Sequence, residues 1–146
     1  MKVTHSFLFI AIIVLAAACK KDSFKTKPQI SIKSYSSKTI GPGDVMRIVL
    51  EYTDKEGDLG NAQLFAAKIR LNQILPPIAL RQTDTFRLTL PTFPDKNKGT
   101  ITFALDQGAL KEHLVQNDTI QFRLAVKDAK GNASDTLTSD KIVIVK

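Results

Sequence analysis

The chain contains no tryptophan, a single cysteine and two histidines in 146 residues. One cysteine cannot close an internal disulfide, and neither it nor two histidines can furnish a structural zinc site unaided. Glycine (7) and proline (6) are sparse, which excludes collagen-like and low-complexity chains. No P-loop, dinucleotide fingerprint or G-x-S-x-G nucleophile elbow occurs. Hydrophobic residues make up 43% of the chain, enough for a core and against global disorder. The length predicts one domain. The formal net charge is +7, but the Lys and Arg residues are scattered and form no basic stripe. That distribution argues against nucleic acid as a partner.

The one cysteine has a distinctive setting. Residues 1–19, MKVTHSFLFIAIIVLAAAC, carry Lys2 and His5, then an apolar run from Phe7 to Ala18. A membrane-spanning helix needs about 20 apolar residues, whereas this run has the length of a signal-peptide core. Leu15-Ala16-Ala17-Ala18-Cys19 resembles the lipobox of bacterial lipoproteins, with the Leu one place early. The resemblance implies cleavage before Cys19, a diacylglycerol on its thiol and an acyl chain on its new amine. Several acyl chains give stable anchoring where one is marginal. Lys20 stands where an Asp signals inner-membrane retention in that family, which implies the outer membrane. Lys20-Lys21-Asp22 resembles a short surface-export tag, so periplasmic face and cell surface both stay open. Loss of residues 1–18 removes one lysine and no acid, so 20 basic and 14 acidic residues leave +6. Residues 19–28 then form a lipidated Cys and polar tether, and 29–146 the folded domain. Nine extended residues reach roughly 30 Å.

From residue 29 onward the pattern is period two. Expected strands are 29–35 (Ile30, Ile32 inward), 45–52 (Met46, Ile48, Leu50, Tyr52), 65–71 (Phe65, Ala67, Ile69, Leu71) and 86–90 (Phe86, Leu88, Leu90). Three more follow at 100–105 (Ile101, Phe103, Leu105), 120–127 (Ile120, Phe122, Leu124, Val126) and 141–145 (Ile142, Ile144). One apolar face per strand predicts an all-β fold of antiparallel sheets packed face to face. Gly41-Pro42-Gly43, Pro76-Pro77, Pro91, Pro94 and Gly131-Asn132 mark the turns. Leu110 and Leu114, four apart, predict a helical turn over 108–115 between strands five and six.

Seven short strands with a helical crossover resemble an immunoglobulin-like β-sandwich, without the Cys…Trp…Cys signature of antibody domains. EYTDKEGDLG, KGTITFAL and NDTIQFRLAVKDAKGNASDTLTSDKIVIV are similar to small single-domain Ig-like lipoproteins of Gram-negative bacteria. The resemblance implies that turns 53–64, 91–99 and 127–134 share one pole, from which the tether also leaves.

That pole carries Asp54, Glu56, Asp58, Asp128 and Asn132, with Asp95 in the middle turn. Calcium takes six to eight oxygens, and these side chains offer several of them. The spacing is not that of an EF-hand. Asp, Asn and Gly also serve turns through Asx hydrogen bonds, and Lys55 and Lys130 are at hand to neutralise the acids. Calcium and plain turn chemistry both remain open.

The opposite pole holds 72–85, with Ile74, Leu75, Ile78 and Leu80 around two prolines. It is either a partner surface for an envelope protein or glycan, or, preferred here, an extra edge strand. His113, the mature chain's one histidine, is expected on a helix surface. Asp118-Thr119-Ile120 and Asp135-Thr136-Leu137 match a three-residue O-glycosylation pattern that strand-edge residues match equally well. The expected function is a noncatalytic, lipid-anchored envelope module requiring no cofactor. A calcium-stabilised adhesion or carbohydrate-contacting module is the alternative, and a hydrolase relying on His113 the remote one.

Overall fold

Alternating apolar side chains leave one face of each strand to be covered, and two sheets cover each other. The computed structural model describes residues 27–92, 94 and 96–146. The expected signal, Cys19, Lys20 and the expected tether as far as residue 26 lie outside the described residues, as does Asp95. Among the described residues no helix is long and apolar enough to cross a membrane.

The strands are β1 (Gln29–Tyr35), β2 (Thr39–Ile40), β3 (Val45–Thr53), β4 (Gln63–Arg70), β5 (Thr85–Thr89), β6 (Lys98–Asp106), β7 (Asp118–Lys127), β8 (Leu137–Thr138) and β9 (Ile142–Ile144). One sheet has the order β1-β3-β6. The other runs β2-β9-β7-β4-β5, with β8 also paired to β7. The protein is an all-β sandwich. Met46, Ile48 and Leu50 of β3 and Phe103 of β6 face Leu64, Ile120, Phe122, Leu124 and Ile142 of the other sheet, all buried. Phe103 meets Phe122 edge-on at 5.1 Å between ring centroids, and Phe86 of β5 meets Phe103 at 5.9 Å. Such pairs add to the burial of apolar area that drives sheet packing.

Several expectations change. Two two-residue strands, β2 and β8, bring the described strands to nine. The β2–β9 pair is parallel, the exception in an otherwise antiparallel ladder set. In β4 the phase is inverted: Leu64, Ala66 and Lys68 are buried, while Phe65, Ala67 and Ile69 are half-buried. A one-residue slip exchanges the faces of a strand. Both faces of β4 read as apolar, and the outer one is partly covered by Arg87 stacked 5.0 Å above Phe65. The inner face tolerates Lys68 because an acid awaits it.

The helical turn is shorter than expected. Helix α1 covers Gln107–Leu110, and Lys111 is already extended. The N–H groups of Glu112 and His113 instead donate to Asp118 Oδ2, at 2.7 and 3.0 Å, which pulls the chain out of the helix. The edge strand preferred for 72–85 is also absent. Prolines cannot donate to a ladder, and a 3-10 turn, Ile78–Leu80, follows Pro77 before β5 begins at Thr85.

Candidate functional site: two poles with buried charge

At the end of β3 the chain turns sharply. The Asp54 N–H donates to Asn97 O at 2.8 Å, and Lys96 N–H to Gly57 O at 3.2 Å, so turn 53–62 lies against residues 96 and 97. Gly57 has φ 73°, a left-handed conformation that glycine adopts without penalty. It reverses the chain so that Asp58 N–H donates to Asp54 Oδ2 at 3.1 Å. Leu59, fully buried, anchors the turn in the core.

The third turn comes from β7. Asp128 accepts from Asn132 N–H at 2.7 Å and from Asn132 Nδ2 at 2.9 Å, closing an Asx-type hairpin around Gly131 with φ 96°. Lys130 then reaches back to Glu56 Oε2 at 2.7 Å and to Asp58 Oδ2 at 3.5 Å. Lys27 pairs with Asp135 at 2.5 Å, so the chain enters β1 at this same end. We call it the tether-side pole, after the tether expected over residues 19–28. A polar cleft of about 300 Å³ opens beside it, lined by Asn61, Gln63, Lys127, Asp128 and Lys130.

The five acidic-pole residues thus divide. Asp128 and Asn132 satisfy one another, and Glu56 is held by Lys130. Asp58 keeps only the longer ion pair with Lys130, and Asp54 takes only the Asp58 N–H. Asp54 is only 2% exposed, yet its Oδ1 has no hydrogen-bond partner among the described residues. Both Asp58 carboxylate oxygens are likewise buried without one. Burial, then the neighbouring Asp58 carboxylate, push the Asp54 carboxyl above the usual carboxylate range, with a smaller push from Asp128. Among the described residues no three acidic or histidine groups converge as a ready-made metal cage.

The far pole holds a charge network that sequence reasoning missed. Lys68 has 0% and Glu112 2% side-chain exposure. Glu112 accepts from Lys68 Nζ (2.7 Å), Arg70 Nε (2.6 Å), Arg70 Nη2 (2.7 Å) and Gln82 N–H (2.8 Å). Arg70 also donates to Asp84 at 2.7 Å. Burial alone would raise the Glu112 carboxyl; the donors from Arg70, Lys68 and Gln82 outweigh it and hold it at about 2. Next to it, Asp118 takes the two backbone N–H groups and His113 Nδ1. Burial would raise this carboxyl too, but these donors lower it. His113 is therefore buried, not on a helix surface, and its Nε2 has no hydrogen-bond partner among the described residues. Asp118 is likewise no free strand-edge residue, whereas Thr136 in the second glycosylation match is exposed. The one available signal was Lys68, a charge inside an apolar strand with a Glu in the crossover.

Ile74, Leu75 and Ile78 stand out at this far pole at 73%, 49% and 81% exposure, and Leu80 is half-buried. Leu114 and Val115 of the crossover are exposed at the same end, where Asn72 Nδ2 donates to Asn117 O at 2.9 Å.

No known protein-family profile matches the chain, and no curated protein matches it.

Proposed function

We propose that the chain is a noncatalytic, lipid-anchored lipoprotein of the outer membrane, whose Ig-like sandwich binds or supports another envelope component. The observation that carries this reading is Cys19, the sole cysteine, placed directly after a 12-residue apolar run and three alanines. The short spacer from Cys19 to β1 supports an anchorage in which the tether-side pole lies near the bilayer. The far pole, with Ile74, Leu75, Ile78, Leu114 and Val115 exposed, then points away and offers apolar surface to a partner protein or glycan. Palmitate labelling and membrane fractionation test the anchor. The full chain is expected in the membrane fraction carrying label, and Cys19→Ser is expected to lose both. A Cys19→Ser chain that still takes up label and sediments with membranes would sink the proposal. A calcium-stabilised adhesion or carbohydrate-contacting module is the second reading, favoured by the three buried oxygens of Asp54 and Asp58 that lack a hydrogen-bond donor among the described residues.

A further inference from the structure

Three carboxylate oxygens, Asp54 Oδ1 and both of Asp58, are buried without a hydrogen-bond donor among the described residues, with the Lys130 ammonium 3.5 Å from Asp58 Oδ2 as a long ion pair. Leaving buried charged groups unpaired is costly, and native folds pair them, neutralise them or coordinate metals with them. The far pole of this same molecule shows the paired solution in full, with four donors on Glu112. The tether-side pole lacks it.

We propose that Asp54 and Asp58 form a calcium site, and that Lys130 is its built-in competitor. The donor set is all oxygen, which selects a hard cation. Asp54 is fixed by burial and by its bond to Asp58 N–H, so one ligand is rigid. Asp58 offers two oxygens from a side chain one-fifth exposed, which gives the site a mouth. Glu56, 28% exposed, is at present neutralised by Lys130, whose own side chain is 60% exposed on a flexible stem. When calcium enters, the Lys130 ammonium swings into solvent, and Glu56 turns to supply the next oxygen. Backbone carbonyls and water complete the shell. Calcium fits better than magnesium because it accepts irregular, carboxylate-rich shells, while magnesium keeps its waters and demands an octahedron. Asp128 contributes field, not coordination, because Asn132 occupies both of its oxygens. The loop that carries Lys130 is thereby released or captured according to calcium. This inference does not depend on lipid anchoring, so failure of the Cys19 test leaves it standing.

Terbium bound near a tyrosine luminesces when that ring is excited, and Tyr52 lies two residues before Asp54 in the same strand end. The chelator-treated full chain is titrated with terbium, then back-titrated with calcium and with magnesium. Saturable luminescence that calcium displaces and magnesium does not is expected. Asp58→Asn should abolish it while the far-ultraviolet spectrum stays that of a β protein. Lys130→Ala should tighten calcium binding about threefold or more, because the competing charge is gone. Absence of luminescence in the parent chain, an undiminished signal in Asp58→Asn, or unchanged or weaker binding in Lys130→Ala would each overturn the proposal.

Discussion

The two poles of the sandwich bury acids in opposite ways. At the far pole Glu112 receives four donors from β4 and the 72–84 segment, and Asp118 receives two backbone N–H groups and His113. Both carboxylates there have internal donors, and of the ring nitrogens only His113 Nε2 is without a partner among the described residues, so the network is structure: it staples the crossover to β4. At the tether-side pole Asp54 and Asp58 share a turn with a weaker answer: Asp54 Oδ1 and both Asp58 oxygens lack a hydrogen-bond donor among the described residues, and Lys130 stands off at 3.5 Å from Asp58 Oδ2. Burial is similar, but satisfaction differs. A satisfied buried charge marks a joint in the fold, whereas an unsatisfied one marks a place where something from outside belongs.

The largest test of that contrast is removal of Glu112. Glu112→Ala removes the close acid of buried Lys68, leaving it only Asp84 at 3.8 Å, and half-releases Arg70. Breaking a buried pair on one side costs roughly 3–5 kcal/mol. Urea denaturation should show a midpoint lowered accordingly, and a loss below about 1 kcal/mol would mean that the network is peripheral.

Acid comes next. Glu112 sits at about 2 in the fold against 4.5 ordinarily, and Asp118 is also lowered. A depressed carboxyl contributes stability that is fully present above its unfolded value and is lost as pH falls through its folded value. Stability should therefore decline between about pH 4.5 and pH 2, by roughly 3 kcal/mol for Glu112 alone. Glu112→Gln should flatten that decline; an acid limb as steep in the variant as in the parent would assign it elsewhere.

Much of this fold was legible from residue pattern. Ile120, Phe122, Leu124 and Val126 alternate without interruption, and β7 buries all four. Ile142 and Ile144 do the same in β9. The sharing of one end by turns 53–64 and 127–134 came from the resemblance to an Ig-like sandwich, not from residue pattern, and Lys130 meets Glu56 there across 74 residues of sequence. What was hidden depends on partners distant in the chain. Lys68 made the inner face of β4 look like the outer one, because a lysine goes inside only when an acid meets it. Glu112 supplies that acid from the crossover, and no local pattern announces the encounter. His113 was misplaced for the same reason: Asp118, five residues on, unwinds the helix that would have exposed it. At the acidic pole the residue types were visible, but not their division into a closed Asp128–Asn132 hairpin, a Lys130 close to Glu56 and farther from Asp58, and a buried Asp54 Oδ1 without a donor among the described residues. Pro76 and Pro77 did carry their message, since they break the apolar loop away from strand geometry and leave Ile78 in solvent.

The smallest expected effect is the most telling. In chelator, Asp58→Asn removes one of two adjacent buried carboxylates and sacrifices only a long, exposed contact with Lys130, so it should stabilise the fold by about 0.5–1 kcal/mol. In calcium the parent is expected to gain a binding free energy that the variant lacks. The melting temperatures of parent and Asp58→Asn, measured side by side in chelator and in millimolar calcium, thus test the account most directly. It predicts that the order reverses, with the variant the more stable in chelator and the parent the more stable in calcium. The same order in both conditions would contradict it.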